Sequence, residues 1–363
     1  MQINELVHYL NTIFPPQFQE SYDNSGLIVG REEHEINKAL LTLDVTEEVL
    51  EEAIDQKADI IIAHHPIIFK PLKKIGTQTE IDNIVRKAIK NDIAIFAAHT
   101  NMDSAKGGTN DKLCNLLDLK DCKVLSPIES YLYKIVVFVP DQQANDVRKA
   151  IFDAGAGHIG EYDSCSYNIK GEGTFRAGEN TNPYVGKKGE IHHEAEIRIE
   201  TVVPKHNLHK AIDKMIKAHP YEEVAYDIYP LENNYEAAGL GRIGVLKEPM
   251  DEKEFLKYVK ERLNADHLRY SGSAKKIQKV AVCSGSGAFL NRQAIMANAD
   301  AYISGDFKYH EFQEAAKGLF VIDAGHYDTE KYVKDIFYEH IMEKFPKFAL
   351  YLSKVNTNPI NLY

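Results

Sequence analysis

The sequence predicts an α/β protein with mixed sheets, in which two stretches of similar plan flank a middle segment of different character. Two observations carry this. Apolar strand-like runs alternate with helix-spaced segments both before residue 126 and after residue 236, and short motifs at the strand ends of the first stretch return in the second.

In the first stretch, KALLTLDVT is a β-rich run, TEEVLEEAIDQK has helical spacing with acids in its first turn, and ADIIIAHHP is a second apolar strand. A helix over about 79–90 and the strand DIAIFAAHT follow. In the last stretch, KVAVCSGSGAF leads into LNRQAIMANA, then ADAYISGDFKYH, a helix, and GLFVIDAGHYDTE. Aligning Ala58-Asp59 with Ala299-Asp300 sets His65 opposite Asp306, and AAHTNMD matches AGHYDTE, so that His99/Asp103 corresponds to His326/Glu330. Internal duplication with divergence accounts for this pattern. Between the two stretches the order is strand (YKIVVFVP), helix (DQQANDVRKAIFDAG), strand (YDSCSYNIKGEGTF), strand (EIRIETVVP), helix (KHNLHKAIDKMIKAH), strand (EVAYDIYPL). That βαββαβ order is the ferredoxin-like one. The expected organisation is therefore a duplicated α/β domain formed by residues 1–126 and 236–363, interrupted by a ferredoxin-like α+β domain at 127–235.

Composition narrows the function classes. With 44% hydrophobic and 27% charged residues the chain is of ordinary globular type, and its formal net charge of −11 argues against nucleic-acid binding through a basic surface. An anionic small-molecule substrate would need a local cationic feature such as a metal. The start MQINELVHYLNTIF has no basic n-region or long apolar h-region, no run reaches transmembrane length, and the four cysteines form no CxxC pair. The expectation is a cytoplasmic protein with reduced thiols, no membrane partner, and no cysteine-based zinc site.

Two adjacent imidazoles, His64 and His65, stand at the end of an apolar run and before Pro66, which cannot continue a central strand. In parallel α/β sheets ligands bind outside the carboxyl ends of the strands. His99 and His326 sit at two further strand ends, each followed four residues later by a carboxylate, Asp103 and Glu330. Mixed imidazole and carboxylate ligands suit zinc, iron, manganese or nickel. Because neighbouring histidines leave the backbone in different directions, two ions, one for each of His64 and His65, fit better than one. Asp44, at the end of the first strand, is a candidate support for a ligating histidine. Ser284-Gly285-Ser286-Gly287 either cradles a phosphate or simply makes a tight strand-to-helix turn, and Asp306, Lys308 and His310 could approach the same crevice. His192-His193-Glu194 reads as a solvated hairpin start, and His219 to Glu223 as the close of a helix.

The stretches YDNSGLIVG, LDVT, AHHPIIF, AHTNMDSAKGGTN, SGSG, SGDFKYH and GHYDTE resemble, in order, the motifs of the Ngg-one-interacting-factor-three-like proteins, often labelled GTP cyclohydrolase 1 type 2 homologs. The resemblance spans nearly the whole chain. GHIGEYDSCSYNIKGEGTF and HPYEEVAYDIYPL are similar to the PII-like or CutA-like insert of the longer bacterial members. The resemblance implies a dinuclear metal centre held by His64, His65, Asp103, His326 and Glu330, with two divalent ions per chain, zinc foremost. It implies a toroidal homohexamer, and it places His99 beside the metals. Tyr22 stands where the family often has Trp.

Two functions follow as expectations. One is a metal-dependent hydrolase acting on a nucleotide or phosphorylated small molecule, with His99 or His310 moving protons. The other is metal storage or delivery, or a regulatory hexamer whose insert senses a ligand.

Overall fold

A computed structural model describes residues 1–362. The chain forms two compact units, Met1–Pro127 with Glu236–Tyr363, and Ile128–Tyr235.

The first unit holds two mixed sheets. One runs Gly26–Val29, Ala94–Ala97, Ile60–Ala63, Lys38–Thr42, Ala349–Leu352, with Gly26–Val29 antiparallel at one edge and every other pairing parallel. The other runs Arg269–Ser271, Phe320–Asp323, Ala301–Gly305, Ile277–Ser286, Tyr235–Met250, Lys120–Ile128. Here too an antiparallel edge strand, Arg269–Ser271, precedes three mutually parallel ones. The central parallel strands Ile60–Ala63 and Ala94–Ala97 are buried at every residue, as continuous apolar runs must be when both sheet faces are covered.

Helices begin where their sequence can satisfy free N–H groups. The Thr46 hydroxyl accepts from Val49 N at 3.3 Å to open the helix Glu47–Gln56, which ends at Lys57 in the left-handed region. Thr79 and Asp82 form a reciprocal capping box at the start of Glu80–Lys90. Both helices turn an apolar stripe (Val49, Leu50, Ala53; Ile84, Val85, Ala88) onto Leu40, Ile61 and Ile95 of the first sheet. Behind the second sheet, Leu113 and Leu117 join Phe255 and Val259 against Val280, Val282, Ile303 and Ile322.

Two local differences from the sequence reading have a common cause. Strand Ile277–Ser286 continues through Ser284-Gly285-Ser286 instead of turning there, and the helix after it shortens to Asn291–Met296. Gly285, at φ +61°, lets the strand shift register between Val282 and Ser286 and still rejoin Ala301–Gly305.

The second unit has a four-stranded antiparallel sheet in the order Tyr167–Arg176, Ile191–Pro204, Leu132–Pro140, Tyr226–Leu231. Helices Ala144–Phe152 and Lys205–Ala218 connect its strands and bury Val147, Ile151, Ala211 and Met215 against Ile135, Val137, Val139, Ile199 and Val203. Among the described residues all four cysteines are free, and no helix is long and apolar enough to cross a membrane.

Candidate metal centre

The carboxyl ends of the parallel strands in the first sheet bring three loops to one edge. Backbone N–H groups of His64 and His65 both donate to Leu43 O, at 3.2 and 3.0 Å, and Ala98 N donates to Ala63 O at 3.1 Å. These bonds fix the chain just where Asp44, His64, His65 and His99 leave the sheet. From the second sheet, Gly305 comes so close to the next loop that a Cβ there would lie 2.7 Å from His326 N. A side chain at Gly285 would strike Glu330 Oε1. Glycine at both positions allows the backbone to reach the cluster.

Six donor side chains converge. The ring centroids of His64, His65 and His99 are 5.1–5.2 Å from one another, and His326 lies 5.4 Å from His65. Their donor atoms form three overlapping sets, His64/His65/His99, His65/His326/Glu330 and His64/Asp103/Glu330, each within 4.8 Å. Glu330 sits at the middle. Its Oε2 is 3.1 Å from His65 Nε2 and 3.0 Å from His326 Nε2, while its Oε1 is 3.7 Å from His64 Nε2. Asp103 Oδ1 is 3.6 Å from His64 Nε2, accepts from Ser284 Oγ at 3.2 Å and accepts from the Thr109 hydroxyl.

Each imidazole is anchored from behind through Nδ1. His64 Nδ1 donates to Ala98 O at 2.8 Å, and since a carbonyl only accepts, Nδ1 carries the hydrogen and Nε2 holds a free lone pair. His65 Nδ1 meets Asp44 at 2.7 Å, His99 Nδ1 meets Asp23 at 2.8 Å and His326 Nδ1 meets Asp306 at 2.7 Å. Asp44 is itself held by Thr357 Oγ1 at 2.6 Å. All four rings thus point Nε2 inward, in the arrangement by which proteins orient metal-binding histidines.

The electrostatics of this cluster call for a cation. Burial opposes the charge of Glu330, yet His326 and the other imidazoles hold its carboxyl well below the usual range. Burial likewise opposes protonation of His65 and His326, but the carboxylates around them win and push the two rings up to about 10 and about 11. Even so, His64 Nε2, His326 Nε2 and Glu330 Oε2 are buried and close to one another but make no contact with hydrogen-bond geometry, the 3.0 Å approach of His326 Nε2 to Glu330 Oε2 included. Buried unpaired polar atoms are costly, and a divalent cation would both replace the protons and satisfy all three.

The geometry therefore gathers His64, His65, His99, Asp103, His326 and Glu330, with Asp44 and Asp306 as supports. It does not bring Lys308 or His310 to them: Lys308 caps its own helix through Glu311, and the His310 ring packs on Tyr309. Ser284 and Gly285 border Asp103 and Glu330 directly and take neighbouring side chains as backbone partners, with Ser284 N donating to Asn110 Oδ1 and Gly285 N to Thr329 Oγ1 at 2.9 Å each. His192 and His193 pair with Glu194 and Glu172 in the second unit, and His219 bonds Phe138 O and Tyr221 N to hold its turn. Sequence reasoning missed Asp23, Thr109 and Thr357. Asp23 is 76 positions from His99, and no spacing rule links them; only its place within YDNSG, among the motif stretches, marks it.

A two-sheet α/β chain with a buried imidazole and carboxylate cluster able to hold cations defines the class of protein. The family model for Duf34/NIF3 (NGG1p interacting factor 3) matches residues 1–359, and the chain belongs to that family. It is similar to proteins named GTP cyclohydrolase 1 type 2 homolog from Halalkalibacterium halodurans (46% identical; 93% of this chain, 92% of that one) and from Bacillus subtilis (41% identical; 98% and 97%). Among solved structures, a Bacillus cereus protein related to NIF3 superposes with a TM-score of 0.87 at 41% identity, covering 100% of this chain and 99% of that one.

Proposed function

We propose that the protein is a dinuclear metal-dependent hydrolase acting on a nucleotide or another phosphorylated small molecule. In this reading His64, His65, Asp103, His326 and Glu330 would hold two divalent ions, zinc foremost, with Glu330 able to contact both. The observation that carries it is the inward set of buried donor atoms, of which His64 Nε2, His326 Nε2 and Glu330 Oε2 crowd together without a hydrogen bond of proper geometry. Bound divalent cations supply Lewis acidity, polarising a phosphoryl or carbonyl oxygen and lowering the pKa of water.

The chain's own residues set the rest. Asp44, Asp306 and Ala98 O keep the histidines in the tautomer that offers Nε2. Burial opposes the charge of Asp23, but its bonds to His99 and Thr100 hold its carboxyl below the usual range, and its Oδ1, 2.8 Å from His99 Nδ1, orients that ring. In this reading His99, anchored through Nδ1 with its other nitrogen beside the cluster, takes up and returns a proton. The name of the similar proteins favours GTP as the first substrate to try. The same reading takes the second unit as an inserted ferredoxin-like domain of the PII or CutA kind, and the assembly as a toroidal homohexamer in the cytoplasm.

The test is turnover of GTP, other nucleotides and simple phosphoesters by protein whose metals have been quantified. Activity that disappears in Asp103→Ala and Glu330→Ala, with the fold retained by circular dichroism, is the expected result. Retained metal without turnover on any substrate would instead support storage, delivery or regulation.

A further inference from the structure

Two partly exposed aromatic side chains stand at the edge of the candidate centre. Tyr22 is 59% exposed and Phe69 43%. Their ring centroids are 6.0 Å apart with planes inclined by 49°, and the Phe69 ring is 6.3 Å from that of His99. Exposed aromatics are common on protein surfaces and this chain has others, so exposure alone says little. The position is what sets this pair apart. Tyr22 directly precedes Asp23, the residue that anchors His99, and Phe69 closes the AHHPIIF segment that carries His64 and His65.

The two rings are also held in place. Asn24 Nδ2 donates to Ile68 O at 2.6 Å, tying the Tyr22 loop to the Phe69 loop. Asp23 Oδ2 accepts from Thr100 N at 3.0 Å, and Ser25 Oγ lies 2.8 Å from Asn101 Oδ1, fixing the Tyr22 loop to the segment after His99. A surface so constrained loses little freedom on binding a ligand.

We propose that Tyr22 and Phe69 form a stacking platform that selects ligands carrying a planar heteroaromatic ring of the nucleobase class, whose polar remainder reaches the imidazole and carboxylate cluster. The proposal rests on the metal-dependent reading above for the polar end of the ligand. The ring end follows from chemistry that an acidic chain can offer without a basic patch. An aromatic face stacks any flat base, and such stacking changes affinity about tenfold or more per base.

The test uses full-length, metal-loaded protein and calorimetric titration with two probes, a β,γ-methylene analogue of GTP and inorganic tripolyphosphate. The nucleotide should bind at least about tenfold tighter than tripolyphosphate. Phe69→Ala and Tyr22→Ala should each weaken the nucleotide about tenfold, leaving tripolyphosphate affinity and metal content unchanged, while Phe69→Tyr and Tyr22→Trp keep tight binding. Equal affinity for the two probes overturns the platform. So does nucleotide affinity that survives both alanine variants, or a loss that falls equally on both probes. Elemental analysis of the same samples reports separately on the metal reading. A ring-dependent loss in protein that retains no metal would uphold the platform and remove the metal from the account.

Discussion

Glu330, 3% exposed and within 4 Å of three imidazoles, concentrates the chemistry of the cluster on one carboxylate. The supports behind those imidazoles are the residues to perturb first, because they are outside the donor set. Asp44→Ala and Asp306→Ala are each expected to weaken zinc binding by about 10–100-fold, read by competition with a coloured chelator. Thr357→Val, which removes only the hydrogen bond to Asp44, should act in the same direction and more weakly. A pH dependence follows for the metal-free protein. With folded-state values of about 10 and about 11, His65 and His326 hold protons that an unfolded chain releases near pH 6.5. The stabilisation is complete below about pH 6.5 and fades as pH rises through the folded values. Melting temperature measured in a chelator should therefore fall between pH 7 and 10, and zinc added at pH 8 should restore it. At this scale the sequence was informative about the histidines themselves, because polar groups in apolar strand ends stand out. It was silent about Asp23 and Thr357, whose partners are brought near only by the fold.

At the scale of elements, short connections position the cluster. Asp103 lies in the one-turn helix Thr100–Ser104, and the following Gly108 leaves no room for a side chain against Met102 O. Gly108→Ala must push that turn away and is expected to reduce both soluble yield and bound metal. By contrast Thr79→Ala, which breaks the capping box of Glu80–Lys90 away from the cluster, should cost about 1 kcal/mol in denaturant unfolding and leave metal content unchanged. Strand and helix identities were legible because periodicity and caps are local signals. The course of Ile277–Ser286 was not, since Ser-Gly-Ser-Gly suits a turn as well as a bulged strand. What decides is pairing with Ala301–Gly305, a contact no local pattern records.

Across the whole molecule, the two sheets of the first unit share one strand order, from an antiparallel edge strand through three parallel strands. The junctions with the second unit fall on Lys120–Ile128 and Tyr235–Met250, neighbours in one sheet, with Gly239 packed on Pro127. Replacing residues 129–234 by a short Gly/Asn turn is therefore expected to leave a folded first unit with unchanged metal content, checked by circular dichroism and elemental analysis. Loss of metal in a well-folded excised protein would assign the second unit a part in the centre.

The edge strand Ala349–Leu352 lies in parallel register beside Lys38–Thr42, and the segment after it binds Glu52 through Ser353 and Asp44 through Thr357. In time, this seam is made last. At about 5–20 residues per second, a ribosome needs on the order of 15–60 s to travel from the first of these strands to the second. From the making of His65 until that of His326 and Glu330, the nascent chain carries His64 and His65 beside an open sheet edge without that further imidazole and carboxylate. A chain stopped before His326 would lack both the strand that closes this sheet and two donors of the cluster.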